Sequence, residues 1–270
     1  MKIRTLLALS LVVFGLTSGL DTASAALITQ VRSLAYDDGA SNVVGTNALS
    51  FANAFDSTMT AIQRIDFESA PAGDFSLSGP LALDANVTAT LFGTDPAGFG
   101  PPQNDPGIAS IDNDSTRGFN TTSGGSQHLR VVSNDPGTVD GGVILSFASN
   151  IRTFGFFLMG REDTKRDIFM EIIFGNGDPM QAFLSETGPN GFPGGGGIQF
   201  IGFSSDTDVA QIIIRESASI TAGRDIFGID DIRYSFTESD LTGLGEPVPA
   251  PGSAVLIALG LIGLRRLTAV

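Results

Sequence analysis

The chain has 270 residues, no cysteine, one histidine and 29 acidic against 15 basic residues, which gives a formal charge of −14. The absence of cysteine excludes thiol nucleophiles, thiolate zinc sites and thioether attachment of haem. A strongly acidic chain repels nucleic acid and anionic lipid, so we expect neither as a partner. Cations are the natural counter-species of such a chain.

The N-terminus has the three parts of a secretory signal peptide. Lys2 and Arg4 form a basic start, residues 6–16 are apolar, and small residues precede a cleavage site between Ala25 and Ala26. The apolar run is shorter than an N-terminal membrane anchor requires. We therefore expect residues 1–25 to be removed by signal peptidase during export.

The mature part, residues 26–236, has the pattern of one all-β domain, an antiparallel β-sandwich. Residues 47–59 carry phenylalanines at helical spacing and predict a short helix, which the strand 62–67 follows. Later, short apolar runs alternate with turn residues, and Asn176-Gly177 is a strong hairpin signal. These runs are residues 143–147, 151–159, 168–174, 180–184, 198–203, 209–216 and 226–236.

Two segments of this domain resemble extracellular jelly-roll modules, including carbohydrate-binding modules. Residues 65–69, Ile-Asp-Phe-Glu-Ser, look like the opening segment of such modules, and residues 227–232, Phe-Gly-Ile-Asp-Asp-Ile, look like the closing strand. In these modules the two segments approach each other, and their acidic residues often share a structural calcium ion. The resemblance therefore implies Glu68 and Asp230 as calcium ligands.

Strand parity is an independent reason to consider Asp230. We expect Ile232, Tyr234 and Phe236 to face inward, and Asp230 shares their face unless the strand is bulged. A buried carboxylate must be paired, protonated or bound to a metal. Calcium, with 6 to 8 oxygen ligands, would satisfy it. An arginine partner would also do so, either Arg224 or Arg233, and so would a turn cap before the strand.

Catalytic motifs are missing from the sequence. His128 lies two residues after Ser126, but neither belongs to a nucleophile elbow, so we expect a polar surface histidine and a non-enzymatic protein. A hydrolase acting through two carboxylates is the second alternative function. The first is a carbohydrate-binding module, although stacking residues are few: the chain has no Trp and two Tyr. The candidates for stacking on a sugar are Tyr36, Phe99 and Phe192.

The C-terminus has three consecutive parts after a linker over residues 237–247. Val248, Pro249, Ala250 and Pro251 form a proline-containing segment that stays extended. The apolar run 252–264 would span about 20 Å as a helix, against about 30 Å for a hydrocarbon core. Arginines beside a membrane segment remain on the cytoplasmic side, as we expect of the pair that follows, Arg265 and Arg266.

This order of proline motif, short apolar helix and basic pair resembles the PEP-CTERM sorting signal, which exosortase recognises in Gram-negative bacteria. Ala250 stands where that family usually has Glu. The resemblance implies that residues 248–270 form a transient transmembrane helix in the inner membrane. An exosortase-like enzyme would then pass the protein to the cell surface or extracellular matrix, with a link to biofilm or exopolysaccharide. An ordinary C-terminal anchor or a buried core helix are the other interpretations of this segment.

Overall fold

Antiparallel β-structure makes up most of the part of the chain that the computed structural model describes. That part comprises residues 28–32, 37–38, 46–70, 79–92, 107–109, 118–132, 141–161, 168–183, 197–216, 226–241 and 244. Its helix is α1, Thr46–Thr58. Its strands are β1 Ile28–Arg32, β2 Asp37–Asp38, β3 Gln63–Ile65, β4 Leu81–Ala82, β5 Val87–Phe92, β6 Gly107–Ala109, β7 His128–Val132, β8 Gly142–Arg161, β9 Ile168–Phe174, β10 Pro179–Phe183, β11 Gly197–Glu216 and β12 Ile226–Ser235.

Two long strands, β8 and β11, organise the strand pairing, and each has 20 residues. They pair with each other along most of their length, with register shifts around Val209. On one side of this irregularity β8 pairs with β5 and β11 pairs with β9. On the other side β8 pairs with β12 and β11 pairs with β1. Each long strand therefore belongs to two sets of neighbours.

The sequence predicted four short strands where these two long strands lie. Residues 148–150 and 204–208 have the polar composition of turns, which is why the apolar runs on either side looked separate. In the structure the backbone stays extended through both segments. A bulge allows a strand to bend without ending. The expected all-β class and the hairpin at Asn176-Gly177 are confirmed, with Gly177 at φ +90°, whereas the jelly-roll arrangement stays a prediction.

A large apolar cluster joins the two sets of strand pairings. From β8 it contains residues of the first half, such as Leu145, and residues of the second half, such as Phe156. From β11 it contains residues on both sides of the irregularity, such as Ile201 and Ile212. All four of these side chains are fully buried. The cluster therefore forms the main core.

The opposite face of the second half of β8 is covered by α1. Phe55 of the helix packs on Phe200 with ring centroids 5.2 Å apart, in a second cluster that also contains Phe157. Gly155 and Gly202 make room for this ring, because a Cβ atom at either position would come within 2.9 Å of it. The apolar run 154–159 thus has both faces buried. The predicted helix is confirmed, one residue earlier than expected at each end.

The chain continues to pack after β12. Thr153 Oγ1 donates a hydrogen bond to the carbonyl of Thr237 at 2.8 Å, and the backbone N–H of Ser239 donates to Ser204 Oγ at 2.8 Å. Leu241 is buried in the cluster beneath α1. Residues 237–241, which begin the predicted linker, therefore rest on the domain. Among the described residues, no helix is long and apolar enough to cross a membrane.

Candidate functional site

The loop of residues 118–127, which leads into β7, is held by the two carboxylates that the sequence singled out. At one end, Asp230 Oδ2 accepts hydrogen bonds from the backbone N–H of Thr121 at 2.6 Å and from its hydroxyl at 2.8 Å. Thr122 donates its hydroxyl proton to Asp231 Oδ1 at 3.0 Å. β12 thus anchors the first half of this loop.

Glu68 holds the end of the same loop and also binds Asn120 near its start. Its Oε1 accepts three hydrogen bonds, from the backbone N–H groups of Ser126 at 2.8 Å and Gln127 at 2.7 Å and from Asn120 Nδ2 at 2.8 Å. Gly125 allows this approach, because a Cβ atom there would overlap Oε1. Hydrogen bonds to an ionised acceptor are stronger than neutral ones. Glu68 and Asp230 are therefore brought to one loop, although they bind different parts of it.

Each carboxylate lies beside a residue in the left-handed backbone region, which is uncommon for residues other than glycine. Phe67 has φ +60° and immediately precedes Glu68, and Asp231 has φ +50° and immediately follows Asp230. Phe67 is nevertheless almost fully buried, so packing holds its backbone in place. Such strain persists only where the surrounding structure enforces it.

The bulge at Asp231 corrects the parity argument made from the sequence. Asp230 pairs with Phe157, and thus shares the face of β8 that α1 covers, while Ile232 belongs to the main core on the other face. The register shifts between Asp230 and Arg233, which is how the alternation breaks. Phe236 was expected inward but is 43% exposed, whereas Tyr234 is buried as expected.

Burial decides the electrostatics of Asp230. The residue is 0% exposed, and its Oδ1 atom has no hydrogen-bond partner among the described residues. Desolvation raises the pKa of this carboxyl to about 8, against the lowering effect of the Thr121 backbone hydrogen bond and with a smaller raising effect from the charge of Asp231. Burial therefore favours the neutral carboxylic acid form of Asp230.

Arg233 binds other groups than Asp230. Its Nε lies 2.8 Å from Asp56 Oδ1 as a misaligned ionic contact, and its Nη1 donates to the carbonyl of Asp231 at 2.6 Å. The guanidinium also lies over the rings of Phe157 and Phe200, at 5.1 and 5.3 Å from their centroids. The alternative of an Arg233 partner for Asp230 finds no support in these contacts. Arg224, the other arginine considered, lies outside the described residues.

His128 is buried, and the prediction of a surface position was wrong. It was expected on the surface, but it is 1% exposed, and its Nε2 atom has no hydrogen-bond partner among the described residues. Burial, followed by the charge of Arg130, lowers the pKa of His128 to about 3. The imidazole lies against Gly118, where a Cβ atom would come within 2.9 Å of it. The loop that starts at Gly118 covers a strand face that looks solvent-exposed in the sequence.

Loop 118–127 thus covers a buried carboxyl group, that of Asp230, and a buried neutral imidazole, that of His128. Within the described residues, no group of three or more His, Asp or Glu side chains is placed to hold a metal ion. The other predicted site residues, namely Ala25, Ala26, Val248, Pro249, Ala250, Pro251, Arg265 and Arg266, lie outside the described residues. The stacking candidates Tyr36, Phe99 and Phe192 also lie outside them.

Comparison with known proteins yields structural neighbours only. No family model and no curated protein matches the chain. The K2 cleaved adhesin domain of Lys-gingipain is similar over 65% of this chain and 99% of its own, with 15% identity and a TM-score of 0.37. The catalytic domain of a GH87 alpha-1,3-glucanase in complex with nigerose is similar over 72% of this chain and 30% of its own, with 10% identity and a TM-score of 0.34.

A third structure, the enzymatically active domain of bacteriophage CBA120 tailspike protein 4, is similar over 64% of this chain and 22% of its own. Its identity is 15% and its TM-score 0.31. Scores this low carry no argument about function. The function must therefore be argued from the residues of this chain.

Proposed function

We propose that this chain is a non-enzymatic exported protein, delivered to the cell surface or extracellular matrix through its C-terminal signal. One observation carries the proposal: Val248 to Pro251, a short apolar run and the pair Arg265 and Arg266 follow one another in a chain whose residues 1–25 have the pattern of a signal peptide. The folded part supports a passive role, because Asp230 and His128, whose pKa values are strongly perturbed, are buried beneath a loop.

The two ends imply one topology. Lysine and arginine beside membrane segments remain cytoplasmic, so both basic ends stay inside and residues 26–247 lie outside. Signal peptidase would act at Ala25 and Ala26, and an exosortase-like enzyme at the proline motif. The domain would leave the inner membrane carrying a charge near −17, because 11 basic and 28 acidic residues remain once both ends are removed. A matrix of exopolysaccharide is the destination that the sorting signal implies.

The delivery proposal is tested by deleting residues 248–270 and following the protein by cell fractionation. We expect the intact chain to pass through a membrane-bound intermediate, and the truncated chain to leave the membrane directly after signal-peptide cleavage. A matched pair of variants, Pro249→Ala with Pro251→Ala against Pro247→Ala alone, separates the motif from general proline content. Unchanged membrane retention and release after the deletion would overturn the proposal.

We also propose a structural calcium ion at the loop held by Glu68 and Asp230. Asp230 Oδ1 supports this, because it has no hydrogen-bond partner among the described residues and a bound cation would keep this buried carboxyl ionised. Glu68 Oε1 already accepts three hydrogen bonds, which leaves Oε2 as the atom that would bind the ion. Loop carbonyls would complete the 6 to 8 oxygen ligands that calcium takes.

Thermal unfolding of the full chain tests the calcium proposal. We expect calcium chloride to raise the midpoint relative to EDTA, because an ion that binds only the folded state stabilises it. The Asp230→Asn variant should lose this shift, and the exposed-site variant Glu238→Gln should keep it. Equal midpoints with and without calcium in the unmodified chain would contradict the proposal.

Carbohydrate binding is the second candidate function. A polar surface depression favours it, at the point where both long strands are irregular. Its lining side chains carry both hydrogen-bond donors and acceptors, which a ligand with many hydroxyl groups requires.

A further inference from the structure

A depression of about 420 Å³ lies on the surface beside the β9–β10 hairpin. Small-ligand sites have volumes of roughly 300–1,000 Å³. Three elements form it: the middle of β8, the hairpin turn and the middle of β11. The side chains that line it are those of Asn150, Arg152, Asn176, Asp206, Thr207 and Asp208, and Gly175 contributes backbone. It is separate from the loop that Glu68 and Asp230 hold.

The lining chemistry narrows the class of ligand. Two amides, a hydroxyl, one guanidinium and two carboxylates supply both hydrogen-bond donors and acceptors. The lining contains no aliphatic or aromatic side chain among the described residues, so an apolar ligand would gain nothing by burial. Two carboxylates against one guanidinium disfavour phosphate and other anions. A neutral ligand with many hydroxyl groups matches this set.

The depression is held in shape before any ligand binds. Ser205, which is fully buried, holds the irregular part of β11 in place by accepting a hydrogen bond from the Thr207 N–H at 3.0 Å and donating one to the Thr207 carbonyl at 2.7 Å. The N–H of Gly175 donates to the carbonyl of Asp208 at 2.8 Å and joins the hairpin to β11. A preformed site loses less entropy on binding than a flexible one.

The ion pair of the depression is nevertheless accessible, whereas the Asn176 amide bonds to Asp178 and the Thr207 hydroxyl donates to Asp206. Arg152 Nε lies 2.8 Å from Asp208 Oδ1, and the two side chains are 36% and 52% exposed. An exposed ion pair of this kind contributes little to stability. Its remaining N–H groups and oxygen lone pairs are therefore available to a ligand at small cost. Gly175 keeps the floor open, since a Cβ atom there would come 2.9 Å from Asn150 Nδ2.

We infer that this depression binds a neutral oligosaccharide segment. The carboxylates would accept hydrogen bonds from vicinal hydroxyl groups, and the amides would both donate and accept. Arg152 would donate to ring or hydroxyl oxygens. This inference rests on the second candidate function, carbohydrate binding, and is independent of delivery through the C-terminus. It assigns recognition to hydrogen bonds rather than to an aromatic platform, in a chain that has no Trp.

Affinity electrophoresis of the purified full chain through gels containing dextran, amylopectin or galactomannan, with EDTA present, tests this inference. We expect at least one polymer to retard the protein. Asp208→Asn should weaken that retardation tenfold or more, because hydrogen bonds to a charged acceptor are stronger than those to a neutral one. Asn150→Ala, at an exposed position, should weaken it as well. The control Glu238→Gln removes an exposed carboxylate elsewhere and should change nothing.

Four results would overturn the inference. They are no retardation by any of the three polymers, retardation that requires calcium, equal weakening by Glu238→Gln, and full retardation of both depression variants. The last result would place sugar binding at another site and leave carbohydrate binding itself standing. Thermal unfolding midpoints equal to that of the unmodified chain show that a variant has lost binding rather than its fold.

Discussion

The two faces of the second half of β8 have different chemistry, although the same strand supplies both. One face, with Phe154, Phe156 and Leu158, packs into the large cluster that β5, β9 and the other half of β11 also enter. The opposite face, with Phe157, packs beneath α1 and the loop 118–127, in a layer that also buries charged and titratable groups. Apolar packing forms the first face, and polar groups held in fixed positions distinguish the second.

The apolar face of β8 therefore stabilises the fold, whereas the face with buried titratable groups can respond to pH and to cations. Apolar burial is non-directional and follows the area removed from water. A buried carboxyl or imidazole, in contrast, changes its protonation when its surroundings disfavour the charge. The face beneath α1 and the loop is therefore where pH or a cation should act, while the main core should be indifferent to both.

Phe156→Ala should have the largest effect of the changes that probe this contrast. Phe156 is fully buried in the main core, and its truncation leaves a cavity that costs about 3–5 kcal/mol of unfolding free energy. Urea unfolding measures the loss, which should be the same at pH 5 and pH 8. The control Phe236→Ala, at a position 43% exposed, should cost less than about 1 kcal/mol. A pH-dependent loss at Phe156 would break the distinction between the faces.

The pH dependence of stability should come from the face that holds Asp230 and His128. The folded pKa of Asp230 is raised from 3.8 to about 8, so its contribution is full below pH 3.8 and is lost as pH rises towards 8. The folded pKa of His128 is lowered from 6.5 to about 3, so its contribution is full above pH 6.5 and is lost as pH falls towards 3. The two slopes oppose each other between pH 3.8 and 6.5.

Asp230 dominates between pH 7 and 8, where the unfolded His128 is already mostly neutral, and stability should fall there by roughly 1 kcal/mol. Asp230→Asn should remove the decrease in unfolding free energy as pH rises to 8. His128→Gln should keep that decrease but remove the loss of stability at low pH. Urea unfolding in EDTA at pH 6.5, 7.2 and 8 measures it. A fall that persists in Asp230→Asn would show that another group titrates.

Glu68→Gln should have the smallest effect, about 1 kcal/mol. The substitution keeps an acceptor for the N–H groups of Ser126 and Gln127 but removes the charge that strengthens those bonds. Since Glu68 is only half-buried, water moderates the loss. Limited proteolysis should detect faster cleavage within loop 118–127, with Glu238→Gln as the unaffected control. Unchanged cleavage and stability would mean that Asp230 alone holds this loop.

Several features could be predicted because they depend on neighbours along the chain. Helix α1 follows from the spacing of Phe51 and Phe55, and the β9–β10 hairpin follows from Asn176-Gly177. Tyr234 is buried as its alternation predicts, with its hydroxyl donating to Asp84 Oδ2 at 2.7 Å. These patterns can be read from the sequence because the spacing of side chains along a helix or strand is set by local backbone geometry.

Other features depended on distant segments and were predicted wrongly or missed. A bulge at Asp231 moved Asp230 to the face opposite Ile232, and no local pattern marks that residue as left-handed. His128 looked like a surface residue because nothing nearby in the sequence shows that the loop from Gly118 folds over it. The polar segments of β8 and β11 looked like turns because they lie where the pairing of these two strands is irregular, and the regular pairs on either side involve residues distant in the sequence.

The sequence by itself determined the all-β class, the helix, the hairpin and the patterns at both termini from which we infer export, since all of these depend on composition and short-range periodicity. The tertiary structure alone decided which polar groups are buried, that Glu68 and Asp230 hold one loop, and where a polar depression opens. The physical reason is that burial and desolvation are properties of what covers a residue. The segment that covers Asp230 is distant along the chain, since Thr121 lies 109 positions before it.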